Sequence, residues 1–188
     1  MDVPDLYRRA QDAFGRNVHG VGDDQWSAGT PCTEWDVRTL VNHVIGEIKW
    51  AVPLFAGSTI AEVGDQFDGD LLGADPAGAW DAAAPAAIEA VQKPGAMDRT
   101  VHLSFGDFPG SEYAMQLIAD LTVHGWDLAR ATGQDETIDA ELVAVVAEWF
   151  SGVAAGYREA GAVAQRPEVP TDPDAQTILL AEFGRSAA

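Results

Sequence analysis

Cysteine is nearly missing from this chain: Cys32 is the single one among 188 residues. Without a second thiol there is no intramolecular disulfide, so the fold relies on packing, and a reducing, cytoplasmic setting is the expectation. Positive charge is scarce too, with 11 Lys and Arg against 30 Asp and Glu and a formal net charge of -19. Such a surface repels phosphate backbones and anionic lipid headgroups over about a Debye length, which argues against nucleic acid and membranes as partners. Acidity names no partner by itself, because it also serves solubility. No apolar run approaches the roughly 20 residues expected of a membrane span. The acidic start, Met1-Asp2-Val3-Pro4-Asp5, lacks the pattern of an export signal. Internal repeats and low-complexity tracts are absent as well.

What is present is enough apolar material, 47% of the residues, for one sizeable core, so residues 1–188 read as a single domain. Helical periodicity predominates. Pro4 suits a first turn, where a missing N–H costs nothing, and Leu6, Ala10, Ala13, Phe14 and Val18 form the stripe of a helix over about 4–18. Gly20, Gly22 and Gly29 mark a loop anchored by Trp26. Thr33 and Asp36 have the spacing of a capping box, which predicts a second helix capped at Thr33. The Gly- and Asp-rich stretch 57–73 suits a surface connection, in which Ile60, Val63 and Phe67 can support a short ordered piece. Asp75-Pro76 caps and starts a helix over about 76–92, which Lys93-Pro94-Gly95 ends.

Alternation over 100–105 predicts a strand, with a turn at 106–110 that folds it into a hairpin or flap. Ser111 is the expected cap of a long helix that Gly133 terminates. Helices over about 139–161 and 175–183 follow, separated by an extended, proline-rich stretch at 166–174. The economical architecture is mainly α: an antiparallel four-helix bundle with a small strand insertion and extra C-terminal helices.

Two of the four histidines, His43 and His124, lie inside amphipathic helical stretches, where a buried imidazole needs a reason. Asp120 stands four residues before His124, so both project from one helix face. Together with His43 they make three candidate metal ligands on two helices. Imidazole and carboxylate suit zinc and its neighbours, and a three-residue set leaves a coordination position for water or substrate. The same histidines would also serve a metal-free core as hydrogen-bonded packing residues, and spacing leaves both readings open. Glu47, one turn beyond His43, is a candidate general base, fourth ligand or acceptor for an imidazole N–H, or else a partly solvated helix residue.

Other polar and aromatic residues read as structural. Asp127 pairs at i+3 with Arg130, Trp35 anchors the start of its helix, and Cys32 is an inert thiol despite its place near a helix start. His19 and His102 lack partners at ligand spacing and are ordinary histidines that can line a pocket mouth.

Three runs together resemble a known family: TPCTEWDVRTLVNH from Thr30 to His43, LTVHGWDLARATG from Leu121 to Gly133, and DAQTILLAEFGR from Asp174 to Arg185. They are similar to the signatures of the mycothiol-dependent maleylpyruvate isomerase N-terminal-domain family, within the DinB-like superfamily of metal-binding four-helix bundles. The resemblance implies a divalent metal, zinc first and nickel second, held by His43, Asp120 and His124. The isomerase resembles this pattern with a glutamate where Asp120 stands, so the shorter Asp120 is expected to reach the metal through one oxygen or through water.

The chemistry implied is activation of a low-molecular-weight thiol, mycothiol, toward a small electrophilic substrate, as in a thiol-dependent transferase or isomerase. The complete isomerase is expected to carry a further C-terminal domain for which this chain is too short. A binding or sequestering protein with a structural or absent metal is the alternative. Apolar helix faces on an acidic protein also make a homodimer compatible with the pattern.

Overall fold

In the computed structural model, which describes residues 2–187, helix α1 spans Val3–His19 and buries Leu6, Tyr7, Ala10, Phe14 and Val18 at three- and four-residue spacing. Helix α2 spans Val37–Ala56. Its cap corrects the sequence expectation, because the side chain that accepts a first-turn amide is Asp36, bonded to the Thr39 N–H at 2.8 Å, and not Thr33. The reason lies upstream. Thr30 Oγ1 donates to the carbonyls of Cys32 and Trp35, and Gly29 bridges Asp36, so the chain stays folded back until Asp36.

The connection after α2 holds a one-turn helix, α3 (Ile60–Val63), closed by a Thr59–Glu62 capping box. Helix α4 (Pro76–Gln92) starts on Asp75, whose side chain accepts the Gly78 N–H. A two-stranded antiparallel sheet follows, β1 (Thr100–Leu103) and β2 (Gly106–Pro109), with Thr100 opposite Pro109 and Leu103 opposite Gly106. The turn therefore falls at Ser104 and Phe105, and residues expected to form the turn instead make the second strand. Helix α5 (Gly110–Thr132) has no side-chain cap, so Ser111 does not play that part. Its first amides are satisfied by backbone: the Gly110 N–H donates to the Arg99 carbonyl at 2.7 Å and the Ser111 N–H to that of Met97 at 2.9 Å. Gly110 permits this approach, since a Cβ there would collide with the Ala96 carbonyl oxygen. Gly133 closes α5 in the left-handed region at φ 70°.

The mainly α expectation holds. Helices α1 and α2 each pack on both α4 and α5, which closes a four-helix bundle around the core. Helix directions follow from end contacts. Asn17, late in α1, donates to the Gly125 carbonyl late in α5, and Gln134 beyond α5 donates back to the Asn17 carbonyl, so α1 and α5 run the same way. His19 at the end of α1 meets Asp81 early in α4, and Phe55 at the end of α2 meets Tyr113 early in α5, ring centres 5.3 Å apart. Both of those pairs are antiparallel. The 57–75 connection lets α4 return parallel to α2, a crossover of the kind long bundle loops allow.

Helices α6 (Ala140–Glu159) and α7 (Ala175–Glu182) pack on each other, and α6 lies against α5. Phe150 of α6 stacks on Phe183, ring centres 3.9 Å apart. By length and composition alone α6 is long and apolar enough to cross a membrane, which corrects the expectation that no segment reaches that threshold. Its alanines and valines raise hydropathy without a continuous bulky run, and Leu142, Val145, Val146, Phe150 and Ala154 are buried.

Candidate metal centre

The α2–α5 antiparallel contact places His43, on the second turn of α2, against the middle of α5, where Asp120 and His124 share a face. The three predicted ligands converge: one nitrogen or oxygen from each lies within 4.8 Å of the others, a spacing that can hold a metal ion. Asp120 Oδ1 sits between the imidazoles, 3.4 Å from His43 Nε2 and 3.4 Å from His124 Nε2. Its second oxygen, Oδ2, is sealed from solvent and has no hydrogen-bond partner among the described residues. The side chains of His43 and Asp120 keep 30% and 27% of their surface accessible, while His124 keeps 10%, so His43 and Asp120 are the accessible members of the cluster and His124 the buried one.

Charge is balanced by opposition within the cluster. Burial would raise the Asp120 carboxyl, yet the two imidazoles outweigh it and hold Asp120 well below the usual carboxylate range. Burial would lower His124, but Asp120 and Asp127 lift it from 6.5 to about 9. His43 moves the same way, with burial overcome by its contact and charge interaction with Asp120. Glu47 is different: burial and the charge of Asp120 push its carboxyl above its ordinary value, against the pull of the histidines. It therefore shares the field of the cluster, as its place one turn after His43 requires.

Two residues assigned to structure from sequence alone belong to this environment. Asp127, fully buried, accepts from His124 Nδ1 at 2.9 Å and from Arg185 at 2.7 Å. The expected Asp127–Arg130 pair is not its role. Arg130 lies over the Trp126 ring and reaches Glu136. Trp35 roofs the cluster, its ring centre 4.6 Å from His43 and 5.4 Å from His124. The spacing of Asp127 to His124, three residues on one helix, was a usable signal for the first contact; Arg185, 58 residues further on, closes the DAQTILLAEFGR run, but no spacing ties it to Asp127. Cys32 is half-buried and its thiol is pushed up by burial, in keeping with an unreactive reading. His19 pairs with Asp81 and His102 with Asp107, both at exposed positions, and neither joins the cluster.

A family model described as the mycothiol maleylpyruvate isomerase N-terminal domain matches residues 7–129. Two curated relatives, both described as uncharacterized proteins, come from Mycobacterium tuberculosis strains CDC 1551 / Oshkosh and H37Rv. Each is 38% identical over 142 residues, covering 76% of this chain and 74% of the relative. No solved structure matches the chain.

Proposed function

The chain belongs to the mycothiol maleylpyruvate isomerase N-terminal domain family, and from that membership we propose that it holds one divalent metal through His43, Asp120 and His124 and uses it to activate a small thiol toward an electrophilic substrate. The observation that carries this reading is the Asp120 carboxylate. A sealed carboxylate oxygen without a partner costs about 1–3 kcal/mol or more, and a cation held by both imidazoles and Asp120 would offset the charge of that carboxylate. Two nitrogens and one oxygen suit zinc, with nickel second, and leave coordination positions open. When bound, such an ion lowers the pKa of a thiol or water at its open position toward neutrality. Mycothiol is the thiol the family name points to.

The chain's own residues prepare the rest. Asp127 fixes the His124 ring through Nδ1, which turns Nε2 toward the cluster. Trp35 covers both imidazoles and limits water. In this reading Glu47, with its carboxyl raised by burial, accepts the thiol proton and later returns it to the product, a general acid–base role that proton affinity nearer neutrality favours.

The test is turnover of small thiols with electrophiles by zinc-loaded protein, comparing wild type with Glu47→Gln. Consumption of both reactants, reduced about 10²-fold in the variant with its metal content unchanged, is the expected result. Thiol binding without consumption of either reactant would overturn catalysis and make the protein a sequestering module.

A further inference from the structure

The C-terminal segment reaches back into the cluster. Beyond α7, the Gly184 N–H donates to the Ala181 carbonyl and the Arg185 N–H to that of Leu180, both at 2.9 Å. Gly184 turns the chain at φ 78°, a conformation that glycine adopts without a Cβ penalty. Phe183 on Phe150 and the buried Leu179 and Leu180 pin this end by packing, so the direction in which Arg185 projects is fixed independently of what its head group meets. The Arg185 side chain is 11% exposed. Nη2 donates to Asp127 Oδ2 at 2.7 Å, Nε lies 3.2 and 3.3 Å from the two Asp127 oxygens, and Nη1 donates to the Phe183 carbonyl at 2.8 Å.

We propose that Arg185 is a positioning residue for the metal centre, acting through Asp127 to hold His124 with Nδ1 protonated and Nε2 presented to the ion. This rests on the metal-binding reading above and adds a component that lies outside the matched residues 7–129. The physical argument is one of geometry and charge. Asp127 Oδ2 is shared between His124 Nδ1 and the guanidinium, so the arginine holds a fully buried carboxylate aimed at Nδ1. An ionised acceptor at Nδ1 selects the tautomer whose Nε2 lone pair is free, and Nε2 is the atom that faces Asp120. A fork-shaped donor supported on a backbone carbonyl holds that carboxylate more rigidly than a single ammonium could.

The test measures zinc affinity by competition with a chromophoric chelator for wild type, Arg185→Gln, Arg185→Lys, Asp127→Asn and the double variant Asp127→Asn/Arg185→Gln. Thermal stability and the His124 Nδ1 proton are followed by melting and by ¹H–¹⁵N NMR of the metal-free proteins. Zinc affinity is expected to fall roughly 10–100-fold in Arg185→Gln, with partial recovery in Arg185→Lys. The double variant is expected to bind no more weakly than Asp127→Asn alone, because Arg185 acts through that carboxylate. The Nδ1 proton is expected in slow exchange in wild type and in fast exchange without Arg185.

A lowered melting temperature with unchanged zinc affinity would overturn the proposal and leave Arg185 a fold staple. Full additivity in the double variant would overturn it as well. Should Arg185→Gln fail to fold, Arg185→Lys and Asp127→Asn carry the same comparison. If wild type binds no zinc, the metal reading fails on its own, and the NMR arm still decides whether Arg185, through Asp127, protects the His124 Nδ1 proton.

Discussion

At the scale of single residues, the cluster is a set of groups whose protonation is set by one another. His124 is the clearest case, lifted from 6.5 to about 9 by Asp120 and Asp127 against its burial. In the metal-free protein the folded state therefore keeps a proton that the unfolded chain releases above about pH 6.5. The stabilisation from His124 is fully present below that pH and is lost as pH rises through about 9. It amounts to about 3 kcal/mol from the shift. Melting of metal-free protein is expected at progressively lower temperature from pH 6.5 to 9. Zinc affinity should move in the opposite direction, rising up to about tenfold per pH unit for each proton displaced. Chelator competition at several pH values checks this, and a pH-independent affinity over that window would contradict it.

The residues of the triad were legible in the sequence because an i,i+4 pair needs only helix geometry and a second helix bearing a histidine. Asp127 was misread for the same reason. Local spacing offered Arg130, whereas the partner that the fold supplies, Arg185, becomes adjacent only once the tail has packed.

Among the elements, the helices were readable from apolar stripes and, for α4, from Asp75; the structure adds Asp139 and Asp174, each of which accepts a first-turn amide of its helix. The misplacements occurred where hydrogen bonds outside the helix, from backbone at α5 and from an upstream side chain at α2, set where the helix starts. The start of α5 is satisfied by carbonyls of residues 97 and 99, and Thr30 folds residues 30–35 into a turn that delays α2 to Asp36. These two readings of the α2 cap predict different mutants. Asp36→Ala is expected to cost about 1 kcal/mol of unfolding free energy, and Thr33→Ala less than about 0.5 kcal/mol as a surface change, both measured by urea denaturation. The reverse order would restore Thr33 as the cap.

Contact between helices α1 and α4 is close enough to be tested in the same way. A Cβ at Gly15 would meet Trp80 Nε1 at 2.5 Å, and Trp80 is itself packed on Phe14 at 5.0 Å between ring centres. Gly15→Ala is therefore expected to destabilise by about 1–3 kcal/mol through overpacking, despite alanine's higher helix propensity. An increase in stability would show that Trp80 moves aside freely.

Over the whole molecule, the mainly α class and six of the seven helices of the described residues followed from periodicity, with α3 expected only as a short ordered piece, but the directions of the bundle did not. Parallel neighbours α1 and α5 depend on contacts such as Asn17 with Gly125, which no local pattern encodes. The arrangement matters because it brings the middle of α5 against α2 and leaves the far side of α5 to α6 and the tail, so that one helix carries Asp120 and His124 toward the site and Asp127 toward Arg185. A metal bound there links the site to global stability: at a free concentration about 1,000 times its dissociation constant, it would add about 4 kcal/mol.

The most direct test of the account is the metal content of protein purified without an affinity tag, by elemental analysis, beside the His43→Ala variant. The account predicts about one zinc or nickel per chain in the wild type and none in the variant. No metal in the wild type after reloading with either ion, or equal metal in both proteins, would contradict it and return His43, Asp120 and His124 to the role of packing residues.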